Sequence, residues 1–273
     1  MKAQIHSTGL VIKKYSFLLF SFFKASLMSD LEYRMNIALK FFNDLIWYAV
    51  QLSVFEALFS YTKSVSGWSL EDTHMFMAVL FVTDSIFMIL FSENLDKFSD
   101  RVRKGEIDML LTKPANAQFL LSFQKMNTAY ILNFCVTTSW LVYSLAHLPG
   151  GINFFRVASL VVMIPAGVAI IYSTRFFFSA SALIFTRADN INYLWFNLYK
   201  LGTRPVSIYP SWLRYILLSI IPVAFFASVP TQLILGTTSL WFTLYGVAVS
   251  SALLFSTTRY WKFALKFYSS ASS

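Results

Sequence analysis

Apolar runs close to twenty residues long recur along this chain, and its longest strongly charged interval, residues 96–125 (DKFSDRVRKGEIDMLLTKPANAQFLLSFQK), lies between two of them. About twenty apolar residues is the length a helix needs to cross a bilayer's hydrocarbon core. Inside that core every backbone N–H and C=O must be bonded within the protein, so such runs fold as helices. With 57% hydrophobic and 18% aromatic residues among 273, one soluble core could not cover this much apolar surface. A mean hydropathy of +0.60 agrees. The expected fold class is all-α: a polytopic membrane protein.

The net charge of +9 does not point to nucleic acid. The basic residues stand beside apolar runs, which suits anionic lipid headgroups and topology control better than tracking a phosphate backbone. Most Lys and Arg fall in the N-terminal region, in residues 96–125 and around Arg259, Lys262 and Lys266, so both termini and the charged interval are expected inside.

At the N-terminus, Lys13 and Lys14 precede an apolar run over 15–23 that resembles a signal peptide, but Lys24 ends the run and no small-x-small cleavage site follows. Helical spacing from Tyr15 to Leu31 predicts an interfacial amphipathic helix within residues 1–34. A first span is expected over 36–61. It carries Lys40 and Asp44, four apart and placed to pair, and Glu56 near the outer end. Ser69 and Asp72 read as a capping box for a second span over 74–91. Asp84, near its middle, is expected to bond another helix, to pair with Arg175, or to line a translocation path. A third span is expected over 119–145, a fourth over 154–184 with Pro165 and Gly167 allowing a bend, and a last over 240–258.

Residues 185–236 admit two readings. Hydropathy alone makes 215–235 the fifth span, although Pro222 and Pro230 would break a simple helix there. The alternative makes 186–202 a polar fifth span, with 210–236 forming two short re-entrant helices on the outer side. A span holding Asp189 and Asn197 would have to line an interface or a wet pathway. Both readings leave six crossings.

Within the charged interval the local chemistry predicts a directional element. Gly105 suits a left-handed helix stop, with Arg101, Arg103 and Lys104 in the preceding last turn. Glu106 and Asp108 open a short helix, Leu110 and Leu111 provide an apolar tooth, and Pro114 ends it. Asn116 is placed to cap the third span. The competing reading is a solvated loop with ordinary surface charges.

No enzyme constellation accompanies it. No Gly-Lys-Ser or Gly-Lys-Thr phosphate loop and no GxSxG elbow occurs. His6, His74 and His147 lack metal-ligand spacing, and Cys135 stands alone. Neither a catalytic nor a metal site is expected.

Four stretches, SDLEYRMN (29–36), GEIDMLLTKP (105–114), RPVSIYPSWLRYILLSIIPVAFFASVPTQLILG (204–236) and WKFALKFYSSAS (261–272), carry a resemblance. In order and over nearly the whole chain, they resemble the permease subunits of the type-2 ABC export family, short six-span branch. The resemblance implies one transmembrane permease domain over 1–273, with residues 96–118 as a cytoplasmic coupling segment and 204–236 as a re-entrant region. It implies partners: cytoplasmic ABC ATPase subunits that bind ATP and Mg, a second permease copy, and membrane lipid, with no cofactor in this chain. The location implied is the bacterial plasma (inner) membrane. Arg101, Arg103, Lys104, Gly105, Glu106, Asp108, Leu110, Leu111 and Pro114 would meet the ATPase. Asp44, Glu56, Asp84, Arg175, Asp189 and Asn197 would face the pathway or interface. The resemblance also favours the polar fifth span. Other function classes are an ATP-independent transporter or channel, and a non-transporting membrane assembly subunit.

Overall fold

In the computed structural model the described residues are 2–148, 151, 153–185 and 188–268, and they are helical with no strand. In chain order the helices are α1 (Lys2–Glu32), α2 (Arg34–Phe59), α3 (Leu70–Phe87), α4 (Glu93–Asp96), α5 (Phe98–Arg103), α6 (Glu106–Leu111), α7 (Ala117–Phe123), α8 (Tyr130–Ala146), α9 (Phe154–Ala180), α10 (Ala188–Gly202), α11 (Ser211–Ser219), α12 (Ser228–Leu235) and α13 (Trp241–Ala264).

The centre of the fold is α3. Its capping box forms as its spacing predicts: Asp72 N–H donates to Ser69 Oγ (3.1 Å) and Ser69 N–H to Asp72 Oδ2 (3.0 Å). Nearly every residue from Met75 to Ser85 is buried, so α3 is hydrophobic all round, as a helix enclosed by others must be. It packs against α8, α9, α2 and α12, and α13 packs on α9. A π-helical turn, Met88–Ser92, carries the chain from α3 into α4 and α5.

Among the described residues, three helical stretches are long and apolar enough to cross a membrane: Leu70–Arg103, Phe154–Leu183 and Trp241–Phe267. A shorter apolar helix, Tyr130–Ala146, accompanies them. Helix α2 has 26 residues but carries Arg34, Lys40, Asp44 and Glu56. Helix α10, with 15 residues, spans about 22 Å at 1.5 Å per residue.

The expected third span over 119–145 is not one helix. Helix α7 stops at Phe123 and α8 starts at Tyr130. Side chains take the backbone groups between them. Asn94 Nδ2 donates to Ser122 O (2.9 Å) and Lys125 O (2.6 Å), and Lys125 N–H donates to Asn94 Oδ1 (3.1 Å). Met126 N–H donates to Ser26 Oγ (2.9 Å) and Thr128 N–H to Asp30 Oδ2 (3.0 Å). Backbone groups satisfied in this way do not need a continuous helix.

Residues 215–235 are not one helix either. The chain turns at Pro222 between α11 and α12, while Pro230 falls in the first turn of α12, where its missing N–H costs little. Gly167 serves close packing: a Cβ there would lie 2.9 Å from Phe225 O and 3.2 Å from Thr83 Cγ2. Trp68 Nε1 donates to Ser207 Oγ (2.7 Å), so the stretch after α10 meets the turn between α2 and α3, at the end of the fold opposite α6.

Candidate functional site

Gly105 occupies the left-handed region at φ 70°, which an L side chain adopts only at a cost, and it turns the chain from α5 into α6. On α6, Glu106 and Asp108 lie in the first turn, as the helix dipole favours. Ile107 and Leu110 are buried against the fold, while Met109 and Leu111 are exposed. Leu110 is therefore not part of an outward tooth, because residues three apart share a helix face and Ile107 sets the inward one. The outward apolar pair is Met109 and Leu111.

Arg103 pairs with Asp100 (2.5 Å), both exposed, and Lys104 is exposed. Arg101 is half-buried, with Nη1 buried and unbonded among the described residues. The Asp108 carboxylate meets the Tyr268 hydroxyl. Burial first, and that carboxylate second, push the phenol's ionisation above its ordinary range. Asn116 caps α7, accepting from Phe119 N–H (3.1 Å). Lys14 Nζ donates to Pro114 O (2.5 Å), Asn116 N–H donates to the Tyr15 hydroxyl (3.1 Å), and the Tyr15 and Phe119 rings meet edge-on at 4.7 Å. With Ser26 and Asp30, these contacts lay α1 across the exit of α6 and the break that follows.

Deeper in, the polar partners differ from those the spacing suggests. Arg175 is 2% exposed and does not meet Asp84. It donates through Nη2 to Asp96 Oδ1 (2.8 Å) and through Nη1 to Asn192 Oδ1 (2.9 Å), with its guanidinium 4.7 Å from the Trp195 ring centre. One side chain of α9 thereby ties α10 to α4. Asp84 instead accepts from the Tyr199 hydroxyl of α10 (2.5 Å). Lys40 does not pair with Asp44 but donates to Asn127 Oδ1 (3.3 Å) and lies 4.0 Å from Glu93. Lys97 (2.6 Å) and Lys125 (3.3 Å) also meet Glu93, whereas Asp44 accepts from Asn133. Glu56 bonds His74 at 2.9 Å. Asn197 is half-buried on α10, and the Asp189 side chain lies outside the described residues.

Asn94, Tyr199, Ser26 and Asp30 escaped the sequence reading. Each holds a partner roughly 30 to 115 positions away, and no local periodicity encodes that. The one available signal was the polar residue ending an apolar run, as Asn94 does.

Apolar helices of spanning length, with charged groups gathered toward their ends and buried polar groups bonded helix to helix, define a helical integral membrane protein. Within that class, the family model described as ABC-2 family transporter protein matches residues 45–272, and the chain belongs to that family. It is a permease-type membrane subunit of a family that normally pairs with an ATPase. No curated protein and no solved structure matches the chain.

Proposed function

We propose that this chain is the transmembrane subunit of an ATP-driven exporter, that two copies form the pathway, and that residues 96–118 dock separate cytoplasmic ATPase subunits holding ATP and Mg. The supporting observation is the form of α5–Gly105–α6. A glycine-hinged short helix presents Met109 and Leu111 outward while Ile107 and Leu110 anchor it in the fold. A push on such an element reaches α3 through α5 and α4, and reaches α10 through Asp96, Arg175 and Asn192. In this reading the chain is one permease domain with six crossings, both termini inside the bacterial plasma membrane, and α11 and α12 re-entrant from outside. The bond between Trp68 and Ser207 supports that last part, because it holds the stretch at the end away from α6.

The test is a double substitution, Gly105→Pro with Glu106→Lys, in the chain co-expressed and purified with the ABC ATPase that co-purifies with the parent chain. Membrane insertion is expected to persist, while stimulation of transport by ATP and co-purification of the ATPase are lost. Unchanged transport together with unchanged co-purification would sink the docking role.

A further inference from the structure

Glu93, at the start of α4, is met by ammoniums from three parts of the chain. Lys97 lies 2.6 Å and Lys125 3.3 Å from the same oxygen, Oε1, and Lys40 of α2 lies 4.0 Å from Oε2. Glu93 is largely enclosed, whereas all three lysines keep part of their side chains exposed. Among the described residues no second carboxylate pairs with these lysines: Asp96 goes to Arg175 and Asp100 to Arg103. Three positive charges therefore meet one negative charge. Each ammonium also carries three N–H donors, and Glu93 and Asn127 Oδ1 are the acceptors they find among the described residues. Positive charge and donors are left over on the exposed side of the cluster.

A phosphate group suits that surplus. Its oxygens face different directions, so one group can accept from Lys97 and Lys125 together. The neighbouring surface of α2 decides what carries the phosphate. Met35, Leu39, Phe42, Ile46, Val50 and Val54 are exposed and recur every three or four residues, so they form one apolar stripe along α2. Lys40 adjoins Leu39, which puts the basic cluster beside the beginning of that stripe. Basic groups between helices at a membrane surface hold anionic headgroups, and an acyl chain takes an apolar track leading away from them. A soluble phosphate would use the lysines and leave the stripe bare.

We propose that Lys40, Lys97 and Lys125 hold the phosphate of an anionic phospholipid from the leaflet at this end, with an acyl chain along the α2 stripe. Such a lipid ties α2, α4 and the break between α7 and α8 together from outside the bundle. The site uses none of the residues around Gly105, so it stands apart from ATP coupling.

The probe is dioctanoyl phosphatidylglycerol, with dioctanoyl phosphatidylcholine as its zwitterionic counterpart. Each is titrated against the full chain in a neutral detergent, and bound lipid is counted by native mass spectrometry. Phosphatidylglycerol is expected to bind saturably, and at least about tenfold more tightly than phosphatidylcholine. Lys97→Gln/Lys125→Gln is expected to erase that preference. Lys262→Gln/Lys266→Gln removes the same charge from exposed positions at the end of α13 and just beyond it, and is expected to preserve the preference. Glu93→Gln removes the competing carboxylate and is expected to tighten phosphatidylglycerol about threefold or more, a gain that damage to the fold could not produce. Glycerol 1-phosphate, which has the phosphate without acyl chains, is expected not to displace the lipid. Equal affinity for the two lipids, or equal losses in the two lysine pairs, would leave only diffuse charge and overturn the site. Unchanged or weaker binding by Glu93→Gln would overturn it as well. Displacement by glycerol 1-phosphate at the lipid's own concentration would give the lysines to a soluble phosphate and the stripe to another occupant, such as a second copy.

Discussion

Tyr199 is the one hydrogen-bond donor that reaches Asp84 among the described residues, and Asp84 is 6% exposed. Replacing the tyrosine by phenylalanine leaves a buried acceptor without a donor, at a cost of about 1–3 kcal/mol. Asp84→Asn should cost less, because an amide oxygen can still accept from the phenol. Thermal unfolding of the purified variants measures both. The double variant Asp84→Leu/Tyr199→Phe should be milder than the sum of its parts, since neither partner is then stranded. Additive losses would mean that the pair contributes no coupling. Arg175 makes a separate prediction. Its planar fork serves Asp96 and Asn192 at once, and a lysine's single ammonium cannot reproduce that geometry. Arg175→Lys is therefore expected to keep the fold but speed amide exchange around Asn192–Phe196, while α13 exchanges as before.

The break between α7 and α8 depends on Asn94, whose amide bonds two carbonyls and accepts one N–H at 0% exposure. Asn94→Leu strands all three backbone groups. A loss of at least about 2 kcal/mol is expected, together with new protease cleavage in residues 124–129. Intact resistance there would show that the break holds without its staple. Elements of this kind mark the limit of what the sequence made legible. Gly105, Pro222 and the Ser69–Asp72 capping box act within a few residues of themselves, so local chemistry predicted the turn, the break and the helix start that the structure shows. The outward face of α6 was misjudged by one residue, because which of Met109, Leu110 and Leu111 points in depends on Ile107's fit against the fold. Lys40 and Asp44, spaced to pair with each other, and Arg175, one partner expected for Asp84, are taken by other helices for the same reason on a larger scale. The helix-to-helix bond also expected of Asp84 forms with Tyr199. Charges spaced for a local pair were claimed by α4, α8 and α10, packed alongside.

Across the whole molecule, charge and aromatic groups divide between two ends. Glu93 with Lys40, Lys97 and Lys125 lies toward one, while Trp68–Ser207 and Glu56–His74 lie toward the other. If α11 and α12 dip in from outside as we propose, a cysteine at Ser207 is labelled by a membrane-impermeant maleimide on intact cells. Labelling that needs permeabilised cells would instead put that stretch inside. A cysteine at Lys104 should behave in the opposite way.

The family match begins at Leu45, yet four of the side chains that grip the chain from Pro114 to Thr128 belong to α1: Lys14, Tyr15, Ser26 and Asp30. The matched part contains the turn proposed to meet an ATPase, and α1, ahead of it, carries the strap laid over that turn's exit. In the proposed reading, α1 then sets how firmly the turn between α5 and α6 is held. Replacing α1 alone, ahead of Arg34, would retune how stiffly the turn is held and leave α2 and the helices after it unchanged.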